Sequence, residues 1–435
     1  MAYQDEITHM ERGELEALQL ERMKETLVNC YENIEFYKNS FDEAGFDPYA
    51  VESLEEIRKA PFTTKQDMRD AYPYKLFAVP REDVKEIHMS SGTTGVATVS
   101  GYTDADIRSW GDCFARGIGY AGGDVDDVVH VCYGYGLFTG GLGAHYGGLA
   151  VGAETIPMSA GNTKRQIKVL QSMGSSILCC TPSYAMHIAD TAIEMGLDPK
   201  KDFTLKAGIH GAEAFSDQFR KNLEDKLGYK VYDVYGLTEV MGPGVAMECD
   251  EQDGLHVAED HFFVEILDPE THEPVPDGEW GELVITTLTR ECCPLVRYRT
   301  RDVTRIISEP CACGRTHRKI DQLRGRTDDM LIIRGVNVFP SQIEQVITEF
   351  PEIATQYQII LTMNGPLDHV ELQVETEPDF PIDEVRRLED LRNRLAPALK
   401  SNLQVAVDIK FVEPKTIARS EGKAKRVIDL RGENQ

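Results

Sequence analysis

Several stretches of this chain gather residue types that could do chemistry. Met89-Ser-Ser-Gly-Thr-Thr-Gly95 sets two glycines beside the hydroxyls of Ser90, Ser91, Thr93 and Thr94. Glycine lets the backbone turn successive N–H groups to one side and hydroxyls add donors, so the stretch suits a nest for an anion such as a triphosphate. It lacks the Gly-x-x-x-x-Gly-Lys-Ser/Thr spacing of a Walker loop. By itself it reads equally well as a polar turn. Tyr133-Gly-Tyr-Gly-Leu-Phe-Thr-Gly-Gly141 places rings among glycines. Small residues leave space and rings line it, as a pocket for an aromatic molecule requires, with Tyr135 and Phe138 as candidate walls. Core packing is the rival reading for Tyr133 and Phe138. Cys311-Ala-Cys-Gly-Arg-Thr-His317 concentrates thiols and an imidazole in one loop, and Cys249 and His256 flank a turn upstream. Cys249, His256, Cys311 and Cys313 would complete a tetrahedral zinc set, with His317 as a substitute ligand. Such a closed site would be structural; reduced, unligated cysteines are the alternative. Lys423 follows Ser-Glu-Gly near the C-terminus, where a lone lysine would ordinarily be a solvated tail residue.

The elements that must position these residues follow from apolar spacing. Glu11–Asn29 repeats Leu, Met and Val at helical intervals. From about 84 to 300, short apolar strands such as Val128–Cys132, Ser176–Cys180 and Leu205–His210 alternate with helical stretches. That alternation implies an α/β region with largely parallel strands. A strand at Val84–His88 would lead into the Ser/Thr/Gly loop, and one at Lys230–Val234 into Tyr235. Residues 254–306 turn β-rich. After a polar segment near Gly325–Asp329 a new pattern begins, with a helix near Gln342–Glu349, strands near Tyr357–Thr362 and Val370–Glu375, a helix over 383–399 and a strand at Val405–Val412. This divides the chain into residues 1–326 and a small α+β domain over 327–435.

Composition narrows the partners. A net charge of −27 argues against nucleic acid and against anionic membranes. Any anionic substrate must be drawn in by local positive charge, because the overall field repels it. No run of about 18 apolar residues is present to span a bilayer. The N-terminal residues are polar and acidic, not signal-like, so the ten cysteines are expected as thiols or metal ligands in a cytoplasmic protein.

In chain order, the 89–95 loop, Tyr235-Gly-Leu-Thr-Glu239, Arg297-Tyr-Arg-Thr-Arg-Asp302, Gly325–Pro340 and Arg419-Ser-Glu-Gly-Lys-Ala-Lys-Arg426 resemble the adenylate-forming superfamily of acyl-CoA synthetases, luciferases and peptide-synthetase adenylation domains. The match covers nearly the whole chain. Within that superfamily, Asp329–Glu344 and Pro294–Asp302 look like the phenylacetate–CoA ligases. The resemblance implies an α/β fold: a large, multi-layer N-terminal adenylate-forming domain plus a small, mobile α+β C-terminal domain. It implies activation of an aryl acid by Mg·ATP as an acyl-adenylate, then transfer to coenzyme A, in a possible homodimer. Phenylacetate is the family's default acid. A carrier-protein thiol as acceptor, or an inactive metal-binding interaction protein, are the competing readings.

Residue roles carry over with it. Ser90, Ser91, Gly92, Thr93, Thr94 and Gly95 would wrap the ATP phosphates. The family loop commonly continues Lys-Pro, whereas Val96-Ala97 stands here, so one positive charge is missing. Gly211, Ala212, Glu213, Asp233, Tyr235 and Gly236 would form the nucleotide pocket, with Tyr235 against adenine. Thr238 would donate to a phosphate, Glu239 would offer a hard oxygen to Mg²⁺, and Asp302 would accept the ribose hydroxyls. Arg326 would reach the nucleotide, Asp328 would be the hinge, and Gly335 would let the pantetheine arm pass. Lys423 would bridge the α-phosphate and the acid's carboxylate. Tyr135, Phe138, Ala214 and Pro243, with Ala212 and Gly236, would line the acid pocket.

Overall fold

The computed structural model describes residues 3–90, 97–327, 331–333, 336–364, 367–382, 384–403, 405–419 and 426–431. They fall into two compact units, one of Met1–Cys180, Lys200–Ala212 and Tyr229–Gln322, the other of Thr181–Pro199, Glu213–Gly228 and Leu323–Gln435.

A nine-stranded sheet organises the first unit. Glu154–Pro157, Val128–Val131, Ile177–Cys180, Ala207–Gly211 and Lys230–Leu237 lie side by side in parallel. Every residue of Ile177–Cys180 and Ala207–Gly211 is buried, which is why these strands read as apolar stretches with His210 the one polar side chain among them. After Lys230–Leu237 the sheet turns antiparallel through Gly242–Glu248, Leu255–Val257, Lys319–Ile320 and Ile306–Ile307. Ligands in open α/β sheets bind beyond the carboxyl ends of the parallel strands. Three candidate groups leave from those ends: Tyr133–Gly141 after Val131, Ala212 after Gly211, and Tyr235–Glu239.

Two smaller pieces complete the frame. Phe262–Leu267, Gly281–Thr287 and Tyr298–Thr304 pair antiparallel, and burial alternates along Tyr298–Thr304 so that Asp302 points inward. Glu86–Met89 pairs with Val99–Tyr102, Met89 opposite Val99, so the Ser/Thr/Gly loop closes a hairpin. The helix Asp104–Tyr120 starts at a Thr103/Asp106 capping box and presses Trp110 and Phe114 onto the helix Thr139–Val151. Gly143 and Gly147 make that approach possible: a Cβ there would lie 2.7 Å from Pro243 and 2.6 Å from Phe114, respectively. Phe114, Ile118, Val129, Val131, Ile177, Ile209 and Val234 share one buried cluster. Among the described residues no helix is long and apolar enough to cross a membrane.

The second unit holds the helices Pro182–Glu194 and Asp217–Leu227 and the C-terminal α+β part. There, Asp408–Val412, Leu367–Thr376, Ile353–Asn364 and Val427–Asp429 form a sheet with an antiparallel centre and parallel flanks. Leu391, Leu395, Leu399 and Leu403 recur every fourth residue on the helix Val385–Leu403 and are buried with Leu361, Leu372 and Val374. One carboxylate organises the run toward the C-terminus. Glu375, fully buried, accepts the backbone N–H groups of Lys415 (2.9 Å) and Ile417 (2.6 Å) and both terminal nitrogens of Arg419 (2.7 Å each).

Candidate active site

The carboxyl end of the strand Lys230–Leu237 carries the densest chemistry. It returns through Thr238 and Glu239 into Gly242–Glu248, and the turn is tight enough that a Cβ on Gly236 would lie 1.9 Å from the Gly242 carbonyl oxygen. Glycine is required there by space. Tyr235 is buried, and its hydroxyl donates to Asp302 Oδ2 at 2.5 Å. The Asp302 amide in turn donates to Thr300 Oγ1 at 3.0 Å. A ring and a buried carboxylate from two different sheets therefore meet at one place. These are the groups a nucleoside needs, a flat face for its base and an acceptor for its hydroxyls.

Glu239, also buried, lies at the base of the Ser/Thr/Gly hairpin. The Ser90 amide donates to the Thr98 carbonyl at 3.1 Å, and the two hydroxyls are 2.6 Å apart. Thr98 Oγ1 then donates to Glu239 Oε1 at 3.2 Å. Lys65, on the short helix Lys65–Asp70, brings its Nζ within 3.1 Å of the same oxygen. The Glu239 carboxylate already faces one cation, and its hard oxygens are of the donor type that a magnesium ion takes. Ser91, Gly92, Thr93, Thr94 and Gly95 lie outside the described residues.

The ring-and-glycine stretch adjoins this point. The Met89 amide donates to the Leu137 carbonyl at 3.0 Å, and Thr139 Oγ1 is 3.2 Å from Thr238 Oγ1. Tyr133 belongs to the buried core, whereas Leu137 and Phe138 are 55% and 54% exposed. Packing therefore accounts for Tyr133 and not for Phe138. Tyr135 is half-buried, its hydroxyl 3.4 Å from His145 Nδ1. Burial raises the Tyr135 hydroxyl's pKa and lowers that of His145, so both stay neutral near pH 7. The Pro243 carbonyl accepts the Trp110 indole N–H at 3.0 Å. Ala212 takes a left-handed backbone at φ 69°, and a Cβ on Gly211 would lie 2.1 Å from the Val234 carbonyl oxygen. Asp233 is half-buried and its amide donates to Glu248 at 2.8 Å.

Other candidates fall elsewhere. Glu213 and Ala214 belong to the second unit, where the Glu213 carboxylate accepts the Ser183 amide at 3.3 Å. Arg326, in the same unit, is half-buried on the strand Gly325–Arg326. Asp328, Gly335 and Lys423 lie outside the described residues. Lys65, Thr98 and Leu137 were not singled out from sequence. Only Lys65 had a local signal, the Thr64-x-x-Asp67 capping box, and that marks a helix start and not a site. A cleft of about 380 Å³ is lined by other residues, Arg12, Arg58 and Glu259 among them. Arg12 and Glu259 neutralise each other there at 2.6 Å.

Comparison with known proteins bears directly on this geometry. The family model for AMP-binding enzymes matches residues 26–288, and the model for the AMP-binding enzyme C-terminal domain matches residues 335–431. Phenylacetate-coenzyme A ligase of Thermus thermophilus is 45% identical, with 99% of this chain and 100% of the relative covered. That of Escherichia coli (strain K12) is 47% identical over 96% of this chain and 95% of the relative. The chain belongs to the phenylacetate–coenzyme A ligase family of AMP-binding enzymes. A solved 2-hydroxyisobutyryl-CoA ligase, in complex with an acyl-AMP in its postadenylation state, superposes on this family member with a TM-score of 0.91 at 29% identity, covering 98% of this chain and 91% of that one. The anticipated α/β adenylate-forming fold with a separate C-terminal domain is the fold observed.

This ligase-family chain also carries a second cluster. The ligating atoms of Cys249, His256, Cys311 and Cys313 all lie within 4.8 Å of one another. Cys249 Sγ is 3.5 Å from Cys311 Sγ, and Cys313 Sγ is 3.4 Å from His256 Nε2. A tetrahedral zinc with Zn–S bonds of about 2.3 Å sets sulfurs about 3.8 Å apart, so the set fits. His256 Nδ1 faces the His317 carbonyl oxygen at 3.3 Å, which leaves Nε2 toward the sulfurs. His317 is not part of the cluster: its nitrogens face the carbonyls of Val257 (2.9 Å) and Ile7 (3.2 Å). Burial works to raise the Cys313 thiol, but hydrogen bonds from His256 and Arg315 outweigh it and bring it down to about 5.

Proposed function

We propose that this chain is an AMP-forming ligase that joins an arylacetic acid, phenylacetate first among them, to coenzyme A through an acyl-adenylate. The observation that carries the reading is the meeting of Tyr235, Asp302 and Glu239 at the carboxyl end of one strand, beside the base of the Ser/Thr/Gly hairpin. The near-full-length identity to phenylacetate–coenzyme A ligases supports it. In the first step a carboxylate oxygen of the acid attacks the α-phosphorus of ATP, and the α–β bridging bond breaks to release pyrophosphate. In the second, the coenzyme A sulfur attacks the acyl carbon, losing its proton to solvent, and AMP leaves. We assign Tyr235 to the adenine face and Asp302 to the ribose hydroxyls. The family resemblance assigns Gly211, Ala212, Glu213, Asp233, Gly236 and Arg326 to the nucleotide. Thr238 and the Ser90–Gly95 loop hold phosphates. Tyr135, Phe138 and Pro243 are assigned to the aryl group, whose apolar ring suits the exposed apolar surface of Leu137 and Phe138, and Ala214 is assigned to it by the family resemblance.

Magnesium held by Glu239 would neutralise charge on the triphosphate. Residues 327–435 would turn about Asp328 between the two steps, with Gly335 beside the pantetheine arm. Cys249, His256, Cys311 and Cys313 would hold a zinc ion that knits the loop 311–313 to the sheet and takes no part in the reaction. A homodimer is the setting that the family resemblance implies.

Positioning two anions for reaction is the main barrier, so Lys423 is assigned the electrostatic role. Lys423→Ala is expected to lower ATP–pyrophosphate exchange with phenylacetate by at least ~10²-fold, the usual loss for a preorganised charge partner. Unchanged exchange in that variant refutes the assignment. Exchange without any acyl-CoA product would favour a carrier-protein acceptor instead.

A further inference from the structure

We propose that Lys65 supplies the cation that the phosphate loop has lost, binding the terminal phosphates of ATP and the departing pyrophosphate. The inference rests on the adenylation reading above. In sequence the loop runs Gly95-Val96-Ala97, with no basic residue from Met89 to Ala97. A chain of net charge −27 that admits a tetra-anion must offset that field locally.

The structure puts a cation from elsewhere in the chain beside Thr98, which follows that stretch. Ser90 and Thr98, the residues on either side of the 91–97 stretch, are joined by an amide–carbonyl bond of 3.1 Å and a hydroxyl contact of 2.6 Å. The base of the loop is therefore fixed, and Thr98 ties it to Glu239 Oε1 at 3.2 Å. Lys65 Nζ stands 3.1 Å from that same oxygen. Its backbone is held by the reciprocal capping box, in which the Thr64 amide donates to Asp67 at 2.7 Å and the Asp67 amide to Thr64 Oγ1 at 3.3 Å. The Glu239 side chain is only 7% exposed, while that of Lys65 is 31% exposed. The ammonium is thus reachable by an incoming anion and is anchored on its inner side. A lysine ammonium has three donors on a flexible stem, and so can keep one on Glu239 while turning others to phosphate oxygens. When the α–β bridging bond breaks, the pyrophosphate oxygen takes the electron pair, and a cation there stabilises that charge without moving a proton. Removing Lys65 also leaves the buried Glu239 carboxylate without its counter-charge, so a structural role is told from phosphate binding by the half-reaction that involves no triphosphate.

The test uses the full chain, phenylacetate as the acid, and each half-reaction separately. Lys65→Ala should lower kcat/KM for ATP in pyrophosphate exchange by ~10- to 100-fold, the range for losing a hydrogen bond to a charged group. Lys65→Arg should recover part of it. Returning a lysine to the loop with Val96→Lys and Ala97→Pro in the Lys65→Ala background should recover most of it. Acyl transfer from preformed phenylacetyl-adenylate to coenzyme A, which involves no triphosphate, should stay within about twofold of the parent, well under the effect of one lost charged bond. Normal exchange in both the parent and Lys65→Ala overturns the role of Lys65 alone. So does an equal fall in both half-reactions, or no recovery when the loop lysine is returned. Absence of exchange in the parent with any aryl or alkyl acid overturns the ligase reading, and the role of Lys65 with it.

Discussion

Glu375→Gln is the sharpest stability test of the C-terminal part. The carboxylate is fully buried and accepts four hydrogen bonds within 2.9 Å, two from backbone amides and two from the Arg419 guanidinium. Glutamine keeps the shape but presents an NH₂ group to a set made only of donors, and it leaves Arg419 without its counter-charge. Breaking a buried pair by removing one partner costs about 3–5 kcal/mol. Arg419 is 26% exposed and can be partly rehydrated, so about 2–4 kcal/mol is expected here. The loss should fall locally on the segment that Glu375 ties down, where it takes both the Lys415 and the Ile417 amide. Hydrogen exchange of the Lys415 and Ile417 amides reads that opening directly, and protection should drop by ~30- to 1,000-fold. The segment leads within a few residues to Lys423, so adenylation should slow as well. A cycle with Arg419→Met isolates the pair: the double variant should lose clearly less than the sum of the singles. Unchanged amide protection in Glu375→Gln, or strict additivity in the cycle, would refute the reasoning.

Two further outcomes follow from buried groups. The purified chain should carry about one zinc per chain. Cys313→Ser or Cys249→Ser should abolish it, and excess zinc at ~100 times its dissociation constant should stabilise the native parent by about 2.7 kcal/mol and not the variants; a parent of unchanged stability after complete zinc removal contradicts this. The second outcome concerns pH. His261 is buried, and burial, opposed by Asp260, lowers its pKa to about 4. The unfolded chain protonates this ring near pH 6.5 and the folded chain only near pH 4, so between those values the unfolded state binds more protons. Stability should therefore be complete above about pH 6.5 and fall by about 3 kcal/mol as pH drops toward 4. Asp260, whose pKa is lowered mainly by His261 and Arg116 against the cost of burial, holds its contribution through this window and loses it only at lower pH. Urea unfolding at several pH values measures the slope, and His261→Gln should flatten it; an unaltered slope would place the effect elsewhere.

Local regularity decided how much of the fold was legible. Ile177–Cys180 and Ala207–Gly211 are buried on both faces, so short, mostly apolar stretches marked them to within two residues. Helix ends were less visible. The helix Arg12–Asn33 runs past the last apolar position of its stripe, Cys30, to the extended backbone of Ile34, and no capping side chain announces that stop. In the C-terminal part the strand Asp408–Val412 begins later than the apolar residues from Val405 suggested, because Val405 is buried without joining the ladder. Spacing cannot distinguish a residue that packs from one that pairs.

The candidate site divides along the same line. Tyr235 and Asp302 each sit in a distinctive run of sequence, Tyr235 near the carboxyl end of the strand Lys230–Leu237 and Asp302 within the strand Tyr298–Thr304, so both could be singled out before any coordinates. His256 and His317 were interchangeable as zinc ligands on spacing. Only the fold separates them, because both nitrogens of His317 face backbone carbonyls while His256 Nε2 faces a thiol. The phosphate loop is the harder case. Val96 and Ala97 signal a missing charge, but nothing near them says what replaces it. Lys65 lies in a helix-capping motif whose local explanation is complete, and its ammonium reaches Glu239 only through the packing of the first unit. A residue whose neighbours already account for it is the kind that sequence reasoning passes over, even where it completes a site.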